Sequence, residues 1–134
     1  MQFGSSKAEE GYKFCTRTLK ANVDNGDDDE NTILLYAISN DYYAKFLVGH
    51  NRLPEAFACF KKAYELNLQV NGELHEETVV LLNDLGTICI VQDEYDKAIS
   101  YLNHAVSIGD KLPEMKDFGY VLANLVAAYI KKGM

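Results

Sequence analysis

Apolar side chains recur every three or four residues along most of the chain, which is the period of an amphipathic α-helix. From Pro54 to Gly72 no other helix-breaking residue occurs, and proline suits the first turn of a helix because its missing N–H would be unpaired there anyway. Residues 83–91 and 94–108 show the same period. Strand-type alternation is nowhere sustained. The pattern therefore predicts an all-α protein of five or six helices and no sheet.

The helical pattern occurs twice, with a spacing of 42 residues, and its first helix occurs a third time. Residues 52–63 align with residues 94–105. Residues 124–130 resemble residues 83–89 and form the third copy of the first helix. The matched pairs are Ala44 with Gly86, Ala56 with Ala98, Phe60 with Leu102, and Ala63 with Ala105. Small side chains let two antiparallel helices approach closely, and the large side chain between them fills the gap.

A small residue in the first helix, followed by small, large and small residues in the second, resembles the tetratricopeptide repeat (TPR) family. The resemblance implies an α-solenoid, a right-handed superhelix of antiparallel helix pairs A and B. It divides a single helical domain, 1–134, into a lone helix B at 8–23, TPR 1 at 31–72, TPR 2 at 73–112, and helix A of a truncated TPR 3 at 116–134. In the lone helix B, the three packing positions are Gly11, Cys15 and Thr18.

The repeat departs from the family pattern in two ways. It is longer than the usual length of about 34 residues, and Asp110 stands where a proline normally ends helix B. Long repeats with a Gly-x-x-His motif, here at residues 72–75, look like kinesin light chain repeats. A terminal helix A without its partner leaves an apolar face exposed, so we expect the chain to be a fragment of a longer protein. The side chains on that face are Leu122, Leu125, Val126 and Ile130.

Segments 10–15, 41–47, 72–85 and 122–128 are similar to a mitochondrial branch of the TPR family. Its members belong to the inner membrane, support respiratory complex III and promote removal of Rieske-protein fragments. The resemblance implies a non-enzymatic interaction module of the mitochondrial inner membrane. Its partners would be complex III subunits, including the Rieske protein, and its targeting and anchoring segments would precede residue 1. The alternatives are a cytosolic cargo adaptor like kinesin light chain and a structural scaffold that self-associates through its C-terminal helix.

The charge balance argues against nucleic acid as a partner. The chain has 20 acidic and 13 basic residues, for a net charge of −7, whereas phosphate binding needs clustered lysine and arginine. Five of the acids lie in segment 24–30, and the rest of the chain is nearly neutral. This segment lacks the ligand spacing of an EF-hand. We expect a solvated loop whose acids favour the N-terminus of the next helix through its dipole, with no metal or cofactor.

Residues that commonly carry catalysis are scattered. His50, His75 and His104 form no catalytic or metal-ligand spacing, and Val79 stands where a zinc-protease motif beginning at His75 would need its second histidine. Cys15, Cys59 and Cys89 are widely spaced and have apolar neighbours, so we expect each to be a small buried side chain. No enzymatic activity is predicted, and no segment approaches the roughly 20 apolar residues that span a bilayer.

The remaining candidate site is the concave groove that the A helices of TPR arrays form. Its asparagine and aspartate side chains can bind an extended peptide backbone, as amide groups do, while its apolar residues either receive peptide side chains or pack neighbouring helices together. Lys45 and Lys131 are far apart with acids between them, which argues against binding of chaperone carboxylate tails. The predicted groove residues are Ile38, Asp41, Tyr42, Lys45 and Val48, then Val80, Asn83, Asp84, Thr87 and Ile90, then Val121, Asn124, Leu125, Ala128 and Lys131.

Overall fold

The computed structural model describes residues 3–133, which hold six α-helices and, within that range, no strand. The helices are α1 (Phe3–Asp24), α2 (Glu30–Gly49), α3 (Leu53–Asn71), α4 (Glu76–Val91), α5 (Tyr95–Asp110) and α6 (Gly119–Gly133). They fall into two compact units, Met1–Val70 with α1 to α3 and Asn71–Met134 with α4 to α6. The predicted all-α fold is confirmed.

The turns after α2 and α4 share one backbone geometry. Asn51 follows α2 with a φ of 58°, and Asp93 follows α4 with a φ of 61°. Asparagine and aspartate tolerate this left-handed conformation better than other side chains. In both turns the next amide donates to the carbonyl five residues earlier, at 2.9 Å and 2.8 Å. The 42-residue repeat found in the side chains is therefore present in the backbone as well.

The acidic segment 24–30 caps the start of α2. The Asp29 carboxylate accepts from the amide of Asn31 at 2.8 Å, and Asp27 accepts from the amide of Asp29 at 3.0 Å and the hydroxyl of Thr32 at 3.1 Å. Glu30 lies in the first turn of the helix. The acids thus act at the helix N-terminus, as the sequence predicts. Among the residues that the structure describes, no three or more His, Cys, Asp or Glu side chains are placed to hold a metal ion.

In the first unit, α1 packs against α2 as a helix B packs against the following helix A. Ile33, Tyr36 and Ala37 of α2 form a buried cluster with Leu66 of α3, and Leu19 of α1 packs against it. Farther along α1, the Thr16 and Ser39 hydroxyls share a hydrogen bond at 2.6 Å. Tyr12 stacks on Tyr43 with ring centroids 5.9 Å apart.

Glu9 fixes the direction of α1 relative to α2. Its carboxylate pairs with Arg52 at 2.7 Å and accepts from the Tyr43 hydroxyl at 2.7 Å. The hydrogen bonds from Arg52 and Tyr43 lower the pKa of Glu9 from 4.5 to about 2. Burial, and then the hydrogen bond to Glu9, raises the pKa of Tyr43 to about 12. Because Glu9 lies near the start of α1 and Arg52 just beyond the end of α2, the two helices are antiparallel.

The second unit is built around a close approach of α4 and α5. A Cβ placed on Gly86 would lie 2.7 Å from Leu102 Cγ, so no side chain fits at this position without displacement. Ala98, Leu102 and Ala105 are fully buried. The small and large residues therefore interlock between the two helices as the repeat pattern predicts.

Helix α5 also packs against α6, and an ion pair sets the direction. Asp96 at the start of α5 pairs with Lys132 at the end of α6 at 2.7 Å. In the alignment that matches Cys15 with Leu102, Asp96 falls on Glu9. Helices α1 and α5 thus use an acid at the same position to reach a cation near the C-terminal end of the next helix A.

We expect Gly86→Ala to destabilise the second unit by about 1–3 kcal/mol, which is the usual cost of overpacking. Urea unfolding measures the change. The control is Gly11→Ala in α1, where nothing lies within 4 Å of the added Cβ; it should be stabilising by roughly 0.5–1 kcal/mol because alanine favours the helix. Equal effects of the two substitutions would contradict the assigned close approach.

We expect Glu9→Gln to lower the free energy of unfolding at neutral pH by roughly 1 kcal/mol, the upper value for a partly exposed ion pair. Because the folded-state pKa of Glu9 is lowered to about 2, its contribution is present above pH 4.5 and is lost as the pH falls towards 2. The unfolding free energies of the two proteins should therefore converge over that interval. Glu10→Gln, at the exposed neighbouring position, is the control and should follow the wild-type pH profile.

Candidate functional site

Three of the predicted groove residues form a hydrogen-bonded cluster between α4 and α6. The Asn124 side-chain amide donates to Asn83 Oδ1 at 2.9 Å and to Thr87 Oγ1 at 3.4 Å. The Thr87 hydroxyl donates to the Asn83 carbonyl one turn earlier in α4 at 2.8 Å. We call Asn83, Thr87 and Asn124 the amide cluster.

The hydrogen bond of Thr87 fixes the orientation of both amides. Its only proton goes to the Asn83 carbonyl, so Thr87 Oγ1 can only accept, and the group facing it must be the NH2 of Asn124. That NH2 in turn requires the oxygen of Asn83. Asn83 Nδ2 and Asn124 Oδ1 then make no hydrogen bond within the described residues. The cluster presents one donor and one acceptor.

Asp84 lies beside the amide cluster in a negatively charged neighbourhood. Burial raises the pKa of the Tyr120 phenol, and the charges of Asp84 and Glu77 raise it further. Asp84 is itself half-buried.

The predicted groove residues of the first unit also form a local cluster. Lys45 Nζ pairs with Asp41 at 3.0 Å and lies 5.7 Å from the centre of the exposed Tyr42 ring. The other carboxylate oxygen of Asp41, Oδ1, is buried and has no hydrogen-bond partner among the described residues. Because Asp41 offsets the charge of Lys45, this cluster has a buried acceptor and little net charge.

The predicted apolar groove residues differ in exposure. Ile38 and Val48 of α2 are exposed, whereas Val121 and Ala128 of α6 have no exposed surface. The half-buried ones are Val80, Ile90 and Leu125. Val121 and Ala128 pack inside the second unit, which is the alternative that the sequence left open for apolar positions.

The histidines serve local structure. His75 accepts from the amide of Glu77 at 3.0 Å and caps α4, His104 pairs with Glu73, and His50 stacks on the Phe46 ring at 4.3 Å. None of these contacts brings two histidines together.

The cysteines differ from one another. Cys89 is buried and Cys59 half-buried, and burial raises the pKa of both thiols. Cys15 is exposed, so the expectation that it would be buried is wrong. The reason is that its face of α1 is turned away from α2.

A family model for the tetratricopeptide repeat matches residues 36–111, more than half of the chain. The chain belongs to the tetratricopeptide repeat family. The predicted resemblance is confirmed, and the TPR assignment identifies the chain as a protein-interaction module. No helix in the described part of the TPR chain is long and apolar enough to cross a membrane.

Curated relatives of this TPR chain share one name. Tetratricopeptide repeat protein 19, mitochondrial, from Mus musculus is 29% identical over 133 residues, covering 91% of this chain and 36% of the relative. The protein of that name from Danio rerio is 33% identical over 112 residues, covering 76% of this chain and 28% of the relative. The chain thus spans about a third of the length of the curated relatives it matches.

A solved structure supports the fold. BtubC (BKLC) from P. vanneervenii matches the TPR chain with a TM-score of 0.79 at 22% sequence identity, covering 96% of this chain and 50% of that chain. At this identity the similarity supports the architecture and does not extend to binding residues.

A double-mutant cycle on Asn83→Ala and Asn124→Ala tests the amide cluster. We expect a coupling energy of about 0.5–1.5 kcal/mol in the free energy of unfolding, which is typical of one hydrogen bond. Urea denaturation of the two single variants and the double variant measures it. As a control, Asn103→Ala combined with Asn124→Ala should be additive, since Asn103 is exposed on α5. A coupling of zero in the first cycle would show that the two amides do not meet.

Proposed function

We propose that this TPR chain is the interaction module of a mitochondrial inner-membrane factor that supports respiratory complex III and helps to clear fragments of the Rieske protein. The observation that carries the proposal is the similarity to tetratricopeptide repeat protein 19, mitochondrial, over 91% of the chain in the mouse relative. On this proposal the partners are complex III subunits, including the Rieske protein. On the same proposal, segment 8–23 is a lone helix B, 31–72 is TPR 1, 73–112 is TPR 2, and 116–134 is helix A of a truncated TPR 3.

The amide cluster supports recognition of an extended peptide. A peptide unit offers one carbonyl acceptor and one N–H donor, and the cluster offers the donor Asn83 Nδ2 and the acceptor Asn124 Oδ1. Because the hydrogen bond between the two amides already holds both side chains, binding orders few additional rotamers. On this proposal, the backbone of a bound peptide makes hydrogen bonds to Asn83 Nδ2 and Asn124 Oδ1.

The surrounding charge indicates which peptides suit the site. In the first unit Lys45 is paired with Asp41, which disfavours a carboxylate ligand there. The exposed Tyr42 ring can pack on an apolar side chain of a peptide. A peptide segment with an apolar side chain and no carboxylate is therefore the expected ligand of these α2 residues.

The test uses the protein expressed from its complete gene, carrying Asn83→Ala together with Asn124→Ala. Loss of two backbone hydrogen bonds, each worth about 0.5–1.5 kcal/mol, should weaken association with complex III about tenfold or more. Quantitative co-purification from solubilised mitochondria measures this. Circular dichroism checks that the variant remains folded.

The matched control is Asn22→Ala together with Asn103→Ala, which removes two exposed asparagines from α1 and α5. It should associate like the wild type. If the control pair lost association and the cluster pair kept it, another surface would be the binding site. If the complete protein were cytosolic, or did not co-purify with complex III at all, the mitochondrial assignment would be wrong.

A further inference from the structure

Two asparagine–glycine pairs lie at the C-terminal ends of helices. Asn25 and Gly26 follow α1, while Asn71 is the last residue of α3 and Gly72 comes next. Both glycines have a positive φ, of 98° and 78°, which glycine adopts without steric cost. In this dipeptide the glycine nitrogen has no side chain beside it to hinder attack on the asparagine side chain. Both pairs therefore have the sequence that favours loss of the asparagine amide.

The two pairs differ in their surroundings. Asn25 and Gly26 are both exposed, whereas Asn71 and Gly72 are both half-buried. The Gly72 carbonyl accepts from the hydroxyl of Thr78 at 2.9 Å, and Thr78 is a fully buried residue of α4. The pair after α3 is thus attached to the second unit, while the pair after α1 lies in solvent.

Hydrogen bonds of the helix end hold the Gly26 nitrogen in the closed state. Gly26 N–H donates to the Val23 carbonyl at 3.0 Å. Asp27 N–H donates to the Asn22 carbonyl at the same distance, which completes the Schellman arrangement that ends many helices at a glycine. In the turn that these bonds close, Val23 is half-buried, while Asn22 and Asp24 are exposed. Opening this turn exposes little apolar surface, and such helix ends open far more often than a helical core does.

We propose that Asn25 is a site of spontaneous deamidation in the folded chain and that the fold protects Asn71. When the last turn of α1 opens, the Gly26 nitrogen loses its proton to solvent base and attacks Asn25 Cγ. The new C–N bond closes a five-membered succinimide ring, and the side-chain nitrogen leaves as ammonia.

One water molecule then opens the ring. Cleavage of the bond between the ring nitrogen and Cγ gives aspartate at position 25. Cleavage of the bond between the ring nitrogen and the main-chain carbonyl carbon gives isoaspartate. In both cases asparagine and water become a carboxylic acid and ammonia, so the reaction needs no oxidant or reductant.

Either product acts on the connection between α1 and α2. It adds a negative charge between Asp24 and Asp27, at the end of α1 where the helix dipole is already negative. Isoaspartate also adds one methylene to the main chain before Gly26, which displaces the donors of both Schellman hydrogen bonds. Because the Asp27 carboxylate accepts from the Thr32 hydroxyl, its displacement weakens the cap of α2 as well.

Peptide mapping by mass spectrometry during incubation of the 134-residue chain at mildly alkaline pH tests the proposal. We expect the peptide with Asn25 to gain the mass difference between OH and NH2 several times faster than the peptide with Asn71. Protein L-isoaspartate methyltransferase should then label mainly the first peptide. Asn25→Gln is the matched control, because its longer side chain would have to close a six-membered ring; that peptide should show neither change.

Two further measurements separate the effect of the fold from that of the neighbouring residues in sequence. In urea concentrated enough to unfold the chain, Asn25 and Asn71 should react at similar rates. Thr78→Val removes the hydrogen bond to the Gly72 carbonyl and keeps the shape of the side chain. It should speed the reaction of Asn71 and leave that of Asn25 unchanged, and circular dichroism checks that it remains folded.

Three results would overturn the proposal. The first is an Asn25 that stays intact in the folded chain under conditions in which both asparagines react in urea. The second is an equal rate at Asn25 and Asn71 in the folded chain. The third is a rate difference that persists unchanged in urea, which would assign it to the flanking residues. Failure of the complex III experiment would leave these measurements unaffected, since they use other residues.

Discussion

The close approach of α4 and α5 at Gly86 is the constraint on which the second unit depends. Leu102 occupies the space that a Cβ on Gly86 would need, and Ala98 and Ala105 on either side have no exposed surface. Any larger residue at these positions would separate the helices and leave Leu102 in a cavity. The close packing thus depends on residues with a small side chain or none.

This packing also determines where the polar residues of α4 lie. With Leu85 and Cys89 buried, the adjacent strip of α4 that carries Asn83 and Thr87 meets Asn124 of α6. A mid-helix asparagine is unfavourable by propensity. Here its side chain contributes a hydrogen bond between helices.

The helices could be predicted from the sequence because their period is local. The segment from Pro54 to Gly72 corresponds to α3 (Leu53–Asn71), and residues 94–108 correspond to α5 (Tyr95–Asp110). The contacts between distant residues could not be predicted in the same way. Glu9 meets Arg52 across two helices, and the amides of Asn83 and Asn124 meet only because the helix separation and rotamers allow it. Helical period places a residue on a face and does not select its partner.

The exposed Cys15 also shows that the sequence pattern does not determine which residues contact a neighbouring helix. Cysteine is among the most often buried residue types, and the repeat places Cys15 where Leu102 is buried, so its sequence predicts burial. In the structure, Cys15 lies on α1 at the position that matches Leu102 on α5. No helix among the described residues covers it, and it is exposed. The repeat pattern therefore marks a residue at which another helix can pack. Whether that residue is buried depends on whether a neighbouring helix is present. The amide cluster differs, because its three side chains all lie within one unit and keep one donor and one acceptor for a partner.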